Sequence, residues 1–254
     1  MIAADVAAYI ESIAAKPAND EGFKFGDPQA SVTGILVCWM CTLPAIERAV
    51  AEGCNMIVCH EEMHYPYASF QPGLEKYLTW TVNRRRVQAL AQGEITVYRA
   101  HGMLDDYCIL DDFAVELGLG TPAVSEGFYR IYDIKPRTVA QLTDQVKQVL
   151  DMDCVRVTGD PAREVSRVGL PWGGLGLSVN IGFIEGLLRY DPDVLIAGET
   201  DEYAMFYCRD ADVPLIESSH AGSENFGLAH FAEDLAAAMP TTKVVFHRCP
   251  VPWN

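Results

Sequence analysis

Short apolar runs alternate with amphipathic segments along most of the chain. Residues 33–39 (TGILVCW) form a continuous apolar run of strand length, as expected of a strand buried on both faces. Residues 43–52 follow with helical spacing, with Pro44 in the first turn and Gly53 just past the end. A second short run over 55–59, a long helical pattern over 74–92 and a third run over 94–99 continue the alternation. Residues 106–117 then read as a helix closed by Gly118. Upstream, residues 3–16 read as an amphipathic helix and Gly26-Asp27-Pro28 as a turn, while Pro66 and Pro72-Gly73 force loop.

A similar series fills the second half. Strands are expected over 128–134, 154–157, 167–170, 193–197, 213–216 and 243–246, and helices over 138–150, 204–209 and 223–238. Gly173-Gly174-Leu175-Gly176 reads as a loop with a helix following it to about Arg189. Alternating strand and helix predicts an α/β protein whose largely parallel or mixed sheets carry helices on their faces. No low-complexity linker interrupts the series, so two packed α/β lobes are expected, 1–125 and 126–254.

Composition narrows the function classes. Half of the 254 residues are apolar, ample for a core, and the net charge is −16. That charge would repel a phosphate backbone, so nucleic acid is not an expected partner. The first helix carries Asp5 and Glu11 among its apolar residues and lacks a basic leader, unlike a signal peptide. No apolar run reaches the ~18 residues of a membrane span. A cytoplasmic protein is the expectation. Eight cysteines in a chain with an ample core and an expected reducing compartment need form no disulfides, and the Cys38-Trp39-Met40-Cys41 pair, which has no second CxxC at zinc-ribbon spacing, reads as buried free thiols.

The densest set of potential ligands is Cys59-His60-Glu61-Glu62-Met63-His64-Tyr65-Pro66. As His-Glu-x-x-His it matches the zinc-protease helix motif. The context opposes that reading, because a short β-rich run precedes it, Pro66 follows His64 closely, and no third ligand lies within a turn or two. The alternative places His60-Glu61 just past the carboxyl end of a buried strand, where α/β sheets bind ligands. Two further pairs have the same form. His101 and Asp105 follow the 94–99 run, and His220 and Glu224 follow the 213–216 run, each pair at i and i+4. Three strand ends each delivering a histidine and a carboxylate point to a metal site. Six donors exceed the need of one tetrahedral ion and suit two divalent ions, with zinc, iron and manganese all compatible. Such a pair would activate water against a small-molecule substrate. Arg84-Arg85-Arg86 reads as a solvated helix face, and Glu199 with Asp201-Glu202 as either cleft lining or helix capping.

The three pairs, in their order and spacing, resemble the NIF-three-like family, whose members are often called GTP cyclohydrolase type-two homologues. The likeness runs over nearly the whole chain and includes Gly26-Asp27-Pro28, the Gly173–Gly176 loop and Ala197-Gly198-Glu199. It implies two lobes with a dinuclear metal site in the cleft between them, often in a ring-shaped homo-hexamer. By position it implies His60, Asp105, His220 and Glu224 as metal ligands, with Glu224 bridging and His101 beside them, either supporting a ligand or moving protons. Glu61 stands where the family places a second histidine, so either Glu61 or a swung-in His64 completes the set, and Met40 stands where the family tends to carry Asp. The chain is then expected to be a dinuclear metal-dependent hydrolase with a metal-bridging hydroxide, in which His101 or Glu199 moves protons. The alternatives are an iron carrier or cofactor-assembly protein that meets a metal acceptor, and a scaffold with a structural metal.

Overall fold

Three short runs lie side by side as parallel strands buried along their whole length, which accounts for their lack of an exposed polar face. The computed structural model describes residues 1–14, 20–67 and 73–253, so Pro72 and the end of the expected 3–16 helix lie outside the described residues. The chain forms two compact units, one of residues 1–109 with 227–249, the other of 110–226 with 250–254.

The first unit begins with α1 (Ala3–Ile13), β1 (Gly22–Phe25), β2 (Gly34–Cys38), α2 (Leu43–Glu52), β3 (Met56–Cys59), α3 (Thr81–Gln92) and β4 (Thr96–Arg99). Every residue of β2, β3 and β4 is buried, as the apolar runs require. The Thr42 hydroxyl caps α2 by accepting from the Ala45 amide, and Gly53 ends it in the left-handed region at φ 71°. The short helix α4 (Gly102–Leu104) follows β4 and passes through a π-helical turn, Asp105–Ile109, into α5 (Leu110–Glu116) of the second unit.

In the second unit come β5 (Val124–Glu126), β6 (Tyr129–Thr138), α6 (Val139–Leu150), β7 (Val157–Thr158), β8 (Glu164–Gly169), α7 (Ile181–Leu188), β9 (Val194–Ala197), α8 (Glu202–Asp210) and β10 (Leu215–Glu217). Its sheet runs β5-β6-β8-β9-β10-β7, with β8, β9 and β10 parallel and the outer pairings antiparallel. Thr138 and Gln141 form a reciprocal capping box that starts α6. The last elements are α9 (His220–Ala238) and β11 (Lys243–His247). Strand β11 pairs in parallel with β2 and completes the first sheet, ordered β1-β4-β3-β2-β11.

Several elements differ from their sequence reading. The two units do not divide near residue 125, because the chain from Gly227 to Cys249 belongs to the first of them. Local patterning marks β11 as a strand but carries no information about which sheet it joins. The pattern over 74–92 splits into a 3₁₀ turn at Leu74–Tyr77 and α3, with Trp80 extended between them (ψ 143°). Of the three arginines on α3, Arg84 and Arg85 are exposed, whereas Arg86 is buried and donates to the Met63 carbonyl at 2.5 Å. Strands β1 and β5 have no apolar run to announce them. The eight cysteines are all free, and burial pushes the Cys41 thiol up to about 12. Among the described residues no helix is long and apolar enough to cross a membrane.

Within the first unit α9 meets the π-helical turn with almost no clearance. A β-carbon at Gly227 would lie 2.6 Å from the Ile109 Cα, and Cys108 Sγ donates to the Gly227 carbonyl at 3.1 Å. Gly227→Ala would favour an isolated helix by about 1 kcal/mol, yet here it should destabilise by about 1–3 kcal/mol through overpacking. Urea denaturation of the variant checks this, and a raised midpoint contradicts the close approach.

Candidate metal centre

Strands β3 and β4 are parallel neighbours in register, with Cys59 opposite Arg99. Their carboxyl ends therefore deliver the next residues to the same edge of the sheet. The His60 amide bonds the Cys38 and Trp39 carbonyls, and the Glu61 amide bonds Trp39 at 2.6 Å, so the chain past β3 is anchored to the end of β2. This segment is not a protease helix. Past β4 the backbone coils into α4, which brings His101 and Asp105 onto one face, as their spacing predicts.

His60, His101 and Asp105 lie together in the first unit, one ligand atom of each falling within 4.8 Å of the others. His60 Nε2 is 3.5 Å from Asp105 Oδ1, and His101 Nε2 is 3.8 Å from Glu61 Oε1. His60 Nδ1 is 3.1 Å from the Ala100 carbonyl, which can only accept, so that nitrogen carries the proton. His101 Nδ1 is likewise held by Asp20 Oδ2 at 3.0 Å.

The second unit holds a matching set. His220 and Glu224 occupy successive turns at the start of α9, with Nε2 3.2 Å from Glu224 Oε1. His220 Nδ1 is 3.0 Å from Glu199 Oε2. A β-carbon at Gly173 would lie 2.1 Å from Glu224 Oε1, and one at Gly174 3.1 Å from His220 Cε1. A β-carbon at Gly198 would strike the Gly173 backbone at 2.3 Å. The glycine loop thus lets bare backbone approach this donor pair. Asp201, by contrast, caps α8 by accepting from the Ala204 amide at 3.0 Å.

These sets fit metal ions on their chemistry. In each of the three histidines Nδ1 is anchored on an oxygen acceptor, which leaves the lone pair on Nε2 facing a carboxylate. Two acceptors face each other stably only with a cation, proton or metal, between them. Donors bound at about 2.0–2.2 Å to a tetrahedral ion sit about 3.3–3.6 Å apart, close to the 3.2, 3.5 and 3.8 Å seen here. Carboxylate or carbonyl partners on the remote nitrogen are the usual outer support of metal-binding imidazoles. His64 stands apart from the grouped donors. It is buried with Nδ1 3.8 Å from Glu62 Oε1, and neither ring nitrogen makes a hydrogen bond among the described residues.

Sequence reasoning missed the charge network behind these donors. Arg99 is fully buried, with Nη1 3.0 Å from Asp20 Oδ2 and 3.5 Å from Glu62 Oε2, and Nη2 3.6 Å from Glu61 Oε2. The available signal was an arginine closing the apolar run just before His101. Burial raises the Asp20 carboxyl, but the charges of Arg99 and His101 outweigh it and hold its pKa below the ordinary value. Burial also raises Glu62, and the nearby His64 and Arg99 reverse it. Both folded values are depressed, so these groups contribute stability above their unfolded values of 3.8 and 4.5, and it is lost as pH falls through the folded values. Melting temperatures of metal-free protein measured down through this acid range should fall, and Asp20→Asn should fall less steeply. Parallel curves for the two proteins would contradict the assignment.

Comparisons with known proteins agree with this architecture. The sequence profile of the Duf34/NIF3 (NGG1p interacting factor 3) family matches residues 1–251. A Clostridium acetobutylicum relative named "GTP cyclohydrolase 1 type 2 homolog" is 25% identical over 218 residues, which cover 81% of this chain and 77% of that protein. A relative of the same name from Clostridium perfringens is 25% identical over 237 residues, covering 87% and 86%. Among solved structures, a Bacillus cereus protein related to NIF3 has the same fold at a TM-score of 0.81 and 13% identity, covering 100% of this chain and 99% of its own. Reduced HcgD from Methanocaldococcus jannaschii is similar at a TM-score of 0.72 and 18% identity, covering 97% of each chain. On the match across nearly its whole length, the chain belongs to the Duf34/NIF3 family.

Proposed function

We propose that this chain is a metal-dependent hydrolase of a small molecule that holds two metal ions through His60, Glu61 and Asp105 of the first unit and His220 and Glu224 of the second. The observation that carries the reading is the shared arrangement of the three imidazoles, each anchored through Nδ1 and each directing Nε2 at a carboxylate. Mixed nitrogen and oxygen donors suit zinc, iron and manganese. Divalent ions held there would supply a water acidic enough to lose its proton near neutral pH and would polarise a substrate oxygen.

The remaining work falls to the chain itself. The Ala100 carbonyl, Asp20 and Glu199 fix the tautomers of His60, His101 and His220, so that each ring presents its lone pair without reorganising. His101 is partly open to solvent, and its Nδ1 is bonded to a carboxylate, a pairing suited to taking up a proton and passing it outward. Glu199 is more exposed still and serves His220 in the same way.

Elemental analysis of protein purified without added metal should give about two ions per chain, and Glu224→Ala should lower that number. A stoichiometry near zero that Glu224→Ala leaves unchanged overturns the metal reading. The metal-loaded protein should then hydrolyse a member of a panel of phosphoesters, nucleotides and amides. Loaded protein that turns over none of them but passes iron to an acceptor is a carrier instead.

A further inference from the structure

The geometry points to Arg99 as a built-in cation of this centre, one that competes with a bound metal ion for Glu61. The inference rests on the metal reading above and concerns an arginine which that reading leaves unused. Arg99 ends β4 and is 0% exposed. A guanidinium taken wholly out of water is costly unless it is paired and hydrogen-bonded. Here Nε donates to the His60 carbonyl at 3.0 Å and Nη1 to the Asp20 carbonyl at 3.2 Å. Its carbon lies 5.0 Å from the Tyr67 ring centroid, and Nη2 bonds the Tyr67 hydroxyl. These contacts fix the group in place immediately behind His60.

Around this one positive charge stand three carboxylates, held unequally. Asp20 is within hydrogen-bond distance at 3.0 Å, whereas Glu62 and Glu61 lie at 3.5 and 3.6 Å. At those lengths the pairing is chiefly coulombic and lacks the directed fork of a bidentate bond. Glu61 therefore has Arg99 and the Tyr67 hydroxyl on one side and His101 Nε2 on the other. A carboxylate placed in this way can turn from the guanidinium to a metal ion without its backbone moving. Two cations sharing one carboxylate repel each other, so Arg99 both keeps the carboxylates together without metal and weakens metal binding when it occurs. The centre should hold its metal exchangeably.

The test is calorimetric titration of the metal-free full chain with Zn²⁺ and with Mn²⁺, alongside its melting temperature. Arg99→Met should melt lower without metal, yet bind the ions roughly tenfold more tightly. Glu62→Gln removes a competing anion while keeping the shape, so the fixed charge of Arg99 is less neutralised and holds Glu61 more strongly, and affinity should fall by several-fold. If wild-type protein binds neither ion, the metal reading fails and this inference with it. If wild-type protein binds and folded Arg99→Met binds equally or more weakly, Arg99 is only structural and this inference alone fails. Should Arg99→Met not fold, Glu62→Gln decides: weaker binding supports the competition, and unchanged or tighter binding overturns it.

Discussion

The donor set of the first unit depends on the parallel register of β3 against β4. With Cys59 opposite Arg99, the residues that follow each strand emerge at one edge. Parallel strands buried on both faces must be apolar along their length, so polar chemistry is confined to where they end. The short runs MIVC and TVYR leave little freedom about where that is. His60 and Glu61 come from one end and His101 from the next, and α4 adds Asp105 by coiling once. The second unit repeats the device at β10, whose end leads into His220 at the start of α9.

Most of the fold is legible because each element carries its own signal. Thr42, Pro44 and Gly53 bound α2 by capping chemistry, and β2 and β3 are apolar at every position. The misses come from information that is not local. Strand β1 has four half-buried residues and shows no run, although it pairs with β4. The placement of β11 beside β2 is a tertiary fact that no periodicity encodes. The long pattern before α3 gave no warning that Trp80 would be extended. The candidate donors were found because three like pairs fell at like places, whereas Asp20 and Arg99 were not, since each depends on a partner far away in sequence.

The charge balance around the donors also explains how so acidic a chain can bury so many carboxylates. Glu61, Glu62 and Glu224 are all nearly or fully buried, and each faces a cation or an imidazole. The overall charge of −16 is thus not merely a property of the surface. In the second unit the same economy of space is reached with backbone instead of charge, Gly173 and Gly174 approaching Glu224 and His220 where a β-carbon would intrude.

Strand β11 has a consequence for the order in which the protein is made. The first unit is interrupted by residues 110–226, and its sheet lacks one edge until the chain from 243 to 247 is available. Domains made of contiguous chain generally fold from the amino end as synthesis proceeds. Here the sheet that starts first gains its last strand only after every strand of the second sheet has been made. During translation β2 waits with an open edge while all the strands of the second sheet emerge, so nascent chains stalled before residue 243 carry an incomplete first sheet alongside a second sheet whose strands are all already present.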